Sequence, residues 1–376
     1  ALDFDMLDYI QSEDGYFSNY REYLKLSGWY SGAEIVARVA SENAINPRLL
    51  IALLEFQSNW ISSASVDDET LEYPLRYSHP NETGLYRQLT WAAGQISQGY
   101  YGWRDGSFME INFADDFTIH LAPNLNAGSA ALQALFSNLY PHEEWEDALY
   151  SERGFISQYS QMFGSFSERD QLYGPTYTHE LTQPSFLLPF QPGIPWNFTS
   201  GPHPPWRLTG ALAALDFAPS GISDCEPNNE WVTAVASGLV VRSGNGVVAL
   251  DLDKDGYQQT GWVVVYIHLS SEDRVEIDSM VHTGSPIGHP SCEGGLSTGS
   301  HVHIARMYNG EWIPAGGPVP FNLGGWVAKN GEEPYQGYLV KKGQTIAANR
   351  FSTHESQIIW SLPDPAAHNE DDMINP

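Results

Sequence analysis

His301-Val302-His303 follows the turn Ser297-Thr298-Gly299-Ser300. Alternate residues of a β-strand share a face, so the two imidazoles of this pair point the same way and can reach one ion. Histidine is the commonest zinc ligand. An isolated His-x-His is as readily a pair of strand-surface histidines, but three upstream residues change its weight. His203 stands in Thr199-Ser200-Gly201-Pro202-His203. Asp216 interrupts the apolar run Ala213-Ala214-Leu215-Asp216-Phe217-Ala218, and His268 ends the β-branched and aromatic stretch from Trp262 to Ile267. A carboxylate inside a strand that otherwise reads as buried needs a partner or a metal. Each group alone reads equally well as a satisfied core or rim residue; together they point to a shared metal site.

The order His203, Asp216, His268 and then His301-x-His303 behind a Ser-Thr-Gly turn resembles the lysostaphin-type zinc endopeptidases, which cut peptide bonds in bacterial cell-wall peptidoglycan. The resemblance covers roughly residues 195–345, and Gly284-Ser285-Pro286-Ile287-Gly288 is also similar to the family's turn. It implies zinc held by His203, Asp216 and His303, with His268 and His301 as metal-free catalytic histidines. It further implies a peptidoglycan peptide, or a similar Gly/Ala-rich peptide, as substrate and a secreted or cell-surface location in a bacterium. Pro204-Pro205-Trp206-Arg207 and the Cys292-Glu293 step depart from the family's pattern, which bears on substrate preference rather than on chemistry. Three protein ligands leave a fourth tetrahedral position for water, as in catalytic rather than structural zinc sites. The remaining imidazoles are then placed to move protons or stabilise an oxyanion. Sequence does not assign which does which.

The 376 residues suffice for two domains with full cores. Forty-six acidic against eighteen basic side chains give a formal charge of −28, which disfavours nucleic-acid and anionic-lipid partners. No run approaches the roughly 18 apolar residues of a membrane span. A chain opening at Ala1 with no signal-like segment fits a processed secreted protein as well as a trimmed one. The two cysteines, Cys225 and Cys292, read as a disulfide or as a pair of buried thiols. In an exported protein the bridge is favoured, bracing the turn that carries His301 and His303. Asp251, Asp253 and Asp255, alternating before Gly256, have the opening of a calcium loop, although Trp262 stands where an EF-hand needs its bidentate glutamate. The other reading is an acidic hairpin loop.

The first half is helical in pattern. Asn46-Pro47 forms an N-cap and first turn ahead of Leu49, Leu50, Leu53 and Leu54; Ile35, Val36, Val39 and Ala40 mark another helix, and Asn126 opens a third. This half is similar to the lysozyme-like transglycosylase fold over residues 30–140, but Gln57-Ser58 stands where that family has its acid glutamate before a serine. An amide cannot protonate a glycosidic oxygen. A glycan-binding or purely structural domain is the expectation, with Trp29, Tyr30, Trp60, Trp91, Tyr100, Tyr101 and Trp103 as candidate sugar-stacking residues. The glycine-flanked segment 99–106 is expected as an exposed loop.

The resulting expectation is a multidomain α and β protein. Residues 1–185 form a helical lysozyme-like domain and 186–200 a proline-rich linker. Residues 201–350 form an antiparallel β-sheet zinc peptidase domain, and 351–376 an acidic tail. Two other classes stay open: a non-catalytic wall- or glycan-binding surface protein retaining a structural metal site, and an assembly subunit.

Overall fold

Ser31 and Glu34 close a reciprocal capping box at the head of helix α1, Gly32–Asn43. The Asn46 side chain accepts from Arg48 N, and Pro47 fills the first turn of α2, Pro47–Ser58, which stops at Asn59 in the left-handed conformation. Three further helices of this half are α3, Leu85–Asp105; α4, Ala127–Ser137, capped by Asn126; and α5, Phe155–Phe163. Their apolar faces, including Ile35, Leu53, Leu89, Leu135 and Phe155, bury one core. A hairpin of β1, Arg21–Leu24, and β2, Gly28–Ser31, precedes α1. The structure is a computed structural model that describes residues 3–25, 27–166, 168, 176, 180–206, 209–222, 224–226 and 228–362.

Segment 99–106 is not the loop its glycines suggest. It is the end of α3, capped by Gly106 at φ 80°. Gly99 serves helix contact: a Cβ there would stand 2.7 Å from Ala134 Cβ and 2.8 Å from Ala131 Cα of α4.

The second half is built on a nine-stranded antiparallel sheet. Its strands are β3 (Trp196–His203), β4 (Ala214–Pro219), β5 (Gly238–Gly244), β6 (Val247–Asp251), β7 (Trp262–Ile267), β8 (Met280–Val281), β9 (Val302–Tyr308), β10 (Glu311–Trp312) and β11 (Gln357–Ile358). The order is β8-β5-β6-β7-β9-β4-β3-β11, with β10 paired to β9. Val264 and Tyr266 of β7 face a core with Phe217, Leu250 and Ile304. Val263, Val265 and Ile267 face the other way, against Ala249, Ala305, Met307 and Tyr101 of α3. An antiparallel sheet commonly leaves one face to water. Here the helical half covers part of that face, so β7 reads as an unbroken apolar run.

Polar ties fasten the two halves. Trp312 N donates to the Tyr101 hydroxyl at 2.9 Å, and Arg104 pairs with Glu311. Farther along, the buried Glu42 carboxylate of α1 accepts from Arg38 Nε at 2.8 Å, from the Tyr86 hydroxyl at 3.0 Å and from the Arg242 guanidinium of β5 at 3.3 Å.

Two expected boundaries are corrected. Residues 186–200 belong to the sheet domain: Phe186, Leu188, Phe190 and Trp196 lie in its core, and β3 begins at Trp196. The prolines keep the backbone irregular without keeping its aromatic side chains out of the interior. Residues 351–358 are not tail, because Gln357 and Ile358 pair with Asn197 and Trp196. Their polar composition hides a strand too short to show a period. Residues 363–376 lie outside the described residues. No helix among the described residues is long and apolar enough to cross a membrane.

Glu42→Ala should strand two arginines in a buried interface and lower unfolding stability by about 3–5 kcal/mol, the cost of removing one partner of a buried ion pair. Denaturant titration against the wild-type chain measures it.

Candidate metal centre

Cross-strand register assembles the site. Asp216 of β4 and His303 of β9 are Cα partners, so their side chains rise from the same face of the sheet. β3 slips register between Phe198, Ser200 and His203, which brings His203 over Asp216. His203 Nε2 lies 3.1 Å from His303 Nδ1 and 3.4 Å from Asp216 Oδ1, and His303 Nδ1 lies 3.1 Å from Asp216 Oδ1. Those three edges approach the roughly 3.4 Å edge of a tetrahedron with bonds of about 2.1 Å, the zinc–ligand range. All three side chains are buried. Asp216 Oδ1 makes no geometrically sound hydrogen bond despite the imidazoles around it. Two nitrogens and a carboxylate oxygen around one buried point, with that oxygen unsatisfied, fit a zinc ion.

Charge follows the same geometry. Burial works to raise the Asp216 carboxyl, but His203 and His301 hold it well below the usual carboxylate range. Burial works to lower His203, and the Asp216 charge outweighs it, leaving His203 raised. His303 is lowered, chiefly by burial.

His268 and His301 stand beside this trio, their ring centroids 4.4 Å apart. His268 follows the end of β7 at φ 66°, a left-handed conformation uncommon outside glycine, which turns its ring toward the site. Its Nδ1 donates to the Glu293 carbonyl at 2.8 Å, leaving Nε2 with a free lone pair. His301 Nδ1 donates to the Gly299 carbonyl at 2.8 Å, and its Nε2 lies 3.7 Å from Asp216 Oδ1. Burial, then the neighbouring His301 and His303, push His268 down to about 3, so it is neutral near pH 7.

Tyr335 also belongs to the site, and no sequence motif marks it. Its ring stacks on His203 with centroids 4.5 Å apart, held by backbone bonds from Gly201 N to Tyr335 O and from Tyr335 N to Pro202 O. Burial and the Asp216 charge raise its phenol.

The carboxylates of Asp251, Asp253 and Asp255 also converge. Asp251 is spent on the backbone, accepting from Asp253 N, Lys254 N and Gly256 N, while Asp255 accepts from Tyr257 N and the Thr260 hydroxyl. These bonds build an acidic turn between β6 and β7, and calcium has no support beyond the proximity of three carboxylates. Cys225 and Cys292 are bonded, with Cα atoms 5.6 Å apart. A cleft of 870 Å³ runs past this disulfide and Glu293–Leu296, bounded on the helical side by Lys25, Arg38 and Tyr86.

Three donors around one point, two imidazoles aimed by carbonyls at its rim and a cleft alongside have the makeup of a metal-dependent hydrolase. Comparison with known proteins gives the same class. Residues 219–315 match peptidase family M23, and residues 1–175 match the N-terminal domain of LasA. Protease LasA of Pseudomonas aeruginosa strain PAO1 is 26% identical over 379 residues, covering 92% of this chain and 81% of that protein. The same protease from strain UCBPP-PA14 is 25% identical over 378 residues, with the same coverage. Among solved structures, the deep-sea M23 metalloprotease pseudoalterin aligns at 22% identity over 44% of this chain and 96% of its own, TM-score 0.36. The lysostaphin catalytic domain of Staphylococcus simulans aligns at 25% identity over 34% and 89%, TM-score 0.24. Superpositions this loose add nothing to the sequence matches. The chain carries a lysostaphin-type M23 metallo-endopeptidase domain behind a LasA-type N-terminal domain. The comparisons attach the LasA N-terminal domain to the helical half. His203 and Asp216 precede the matched segment, and strand pairing brings them to His303.

Alanine at His203, Asp216 or His303 should abolish stoichiometric zinc binding, while His301→Ala should keep it. Elemental analysis of the dialysed proteins separates the two groups, and zinc loss in His301→Ala would refute this division.

Proposed function

We propose that this chain is a secreted zinc endopeptidase that hydrolyses peptide bonds of bacterial cell-wall peptidoglycan, with His203, Asp216 and His303 as ligands and His268 and His301 as the proton-handling groups. The observation that carries the reading is the triangle of three buried donors with two further imidazoles beside it, since a structural zinc needs no spare histidines. Bound there, zinc supplies a Lewis acid and a water acidified to a pKa near 7. The neutral His268, its Nδ1–H tied to Glu293, offers Nε2 as a proton acceptor. His301, with Nε2 near Asp216, is placed to donate to an oxyanion or a leaving amine. The cleft beside Glu293–Leu296 provides room for an extended peptide.

The helical half is proposed as non-catalytic. Gln57 Oε1 accepts from the Tyr140 hydroxyl at 3.2 Å. Glu55, the nearest acid in the helix, accepts from Ile61 N, Ser62 N and the Ser62 hydroxyl, so its carboxylate holds a loop. Of the candidate stacking residues, Trp60, Trp91 and Tyr101 are buried. A glycan contact is better assigned to Trp29, 66% exposed, and Tyr23, 58% exposed, which pair edge-on across β1 and β2 at 5.6 Å.

His268→Ala and His301→Ala should retain zinc while peptide cleavage falls about 10²–10⁴-fold, the effect of losing a positioned proton-transfer group. Zinc-loaded wild-type chain that leaves purified peptidoglycan uncut would favour the non-catalytic wall-binding reading. Full-length His303→Ala should release no new reducing ends from glycan strands yet still sediment with them, and Trp29→Ala should weaken that sedimentation. New reducing ends would return the acid role to the helical half.

A further inference from the structure

The residues flanking Cys292 hold His268, and those flanking Cys225 hold Ser300, the residue just before His301. Cys292 lies between Ser291 and Glu293. Ser291 N and its hydroxyl donate to the His268 carbonyl at 2.6 and 3.1 Å, and the Glu293 carbonyl takes the His268 Nδ1 proton at 2.8 Å. Cys225 lies between Asp224 and Glu226. Their carbonyls accept from Ser300 N at 2.7 Å and the Ser300 hydroxyl at 3.0 Å, and Ser300 is the buried residue immediately before His301. Ser291 also bridges directly to His301. Residues 224–226 belong to no helix or strand. The covalent link from them to the His268 loop is the Cys225–Cys292 bond, which closes a separation of 67 residues. The donors His203, Asp216 and His303 stand instead on β3, β4 and β9, paired within the sheet.

We propose that the Cys225–Cys292 disulfide is a positioning device for the reaction: it couples the two loops that orient His268 and His301, and it leaves the metal ligands untouched. The proposal rests on the catalytic roles given above to these two histidines. Without the bond, each loop samples more conformations, so the two imidazoles lose their shared alignment while the zinc site keeps its strands. Misplacement of a reacting group by about 1 Å costs up to about 10²-fold in rate.

The test is the double variant Cys225→Ala/Cys292→Ala in the full chain. It should bind one zinc per chain and show kcat reduced about 10- to 100-fold with little change in KM. Nitrogen-15 imidazole spectra should show the single Nδ1–H tautomer of His268 in the wild type giving way to tautomer exchange in the variant, a signature that simple loss of stability does not produce. A folded, zinc-loaded double variant with wild-type kcat and an unchanged His268 tautomer overturns the proposal. Should that variant fail to fold, Ser300→Ala decides: it keeps the disulfide and cuts only the bond to Glu226. A lower kcat with zinc retained supports the coupling, and wild-type kcat overturns it. Undiminished cleavage by His268→Ala and His301→Ala would instead remove the underlying assignment of roles.

Discussion

Asp216 opposite His303 across β4 and β9 is the constraint on which the rest of this molecule depends. A carboxylate on a strand whose other residues are all buried is costly unless charge or hydrogen bonds answer it. Its face of the sheet also carries Ala214, Ala249 and Ala305, small residues lying under the helical half. Water is therefore scarce, and the answer comes from imidazoles: His303 by register, His203 by a slip in β3, His301 from just ahead of β9. The same burial that makes the site expensive makes it selective for a cation.

The chemistry is divided between two kinds of backbone. The three proposed metal donors sit on paired strands, where ladder hydrogen bonds leave little freedom, as suits a site that must hold fixed distances. His268 follows the last residue of its strand in a left-handed conformation, and His301 enters from an irregular turn; both are aimed through Nδ1–H bonds to loop carbonyls. His268 thereby keeps Nε2 as a lone-pair acceptor, and His301 turns its Nε2 toward Asp216. The groups proposed to handle protons thus depend on loops, in contrast to the strand-borne donors.

The helical half shows how acidic residues can be numerous without being available. Glu55 holds a loop, Glu42 anchors two arginines between the halves, and Glu34 caps a helix. Gln57 shares its amide oxygen with the Tyr140 hydroxyl. Local bonding decides what a carboxylate does, whatever the net charge.

Much of the site was legible in the residues. His-x-His on a strand, a carboxylate in an apolar run and a histidine closing a β-branched stretch each follow from alternation and burial, which are local. The helix starts at Ser31, Asn46 and Asn126 were equally local, because a cap acts within one turn. Other features needed the fold. Tyr335 reaches His203 through two backbone bonds to residues 201 and 202, a contact between segments more than a hundred residues apart. Gly99 reads as a loop glycine until α4 is laid against it, and residues 351–358 read as tail until β3 supplies a pairing edge. Sequence by itself determined which groups have metal and proton chemistry, because that is a property of side chains and their nearest neighbours. Tertiary structure alone decided which of them share one point, through strand order and register. A shift of one residue between β4 and β9 would put Asp216 and His303 on opposite faces of the sheet.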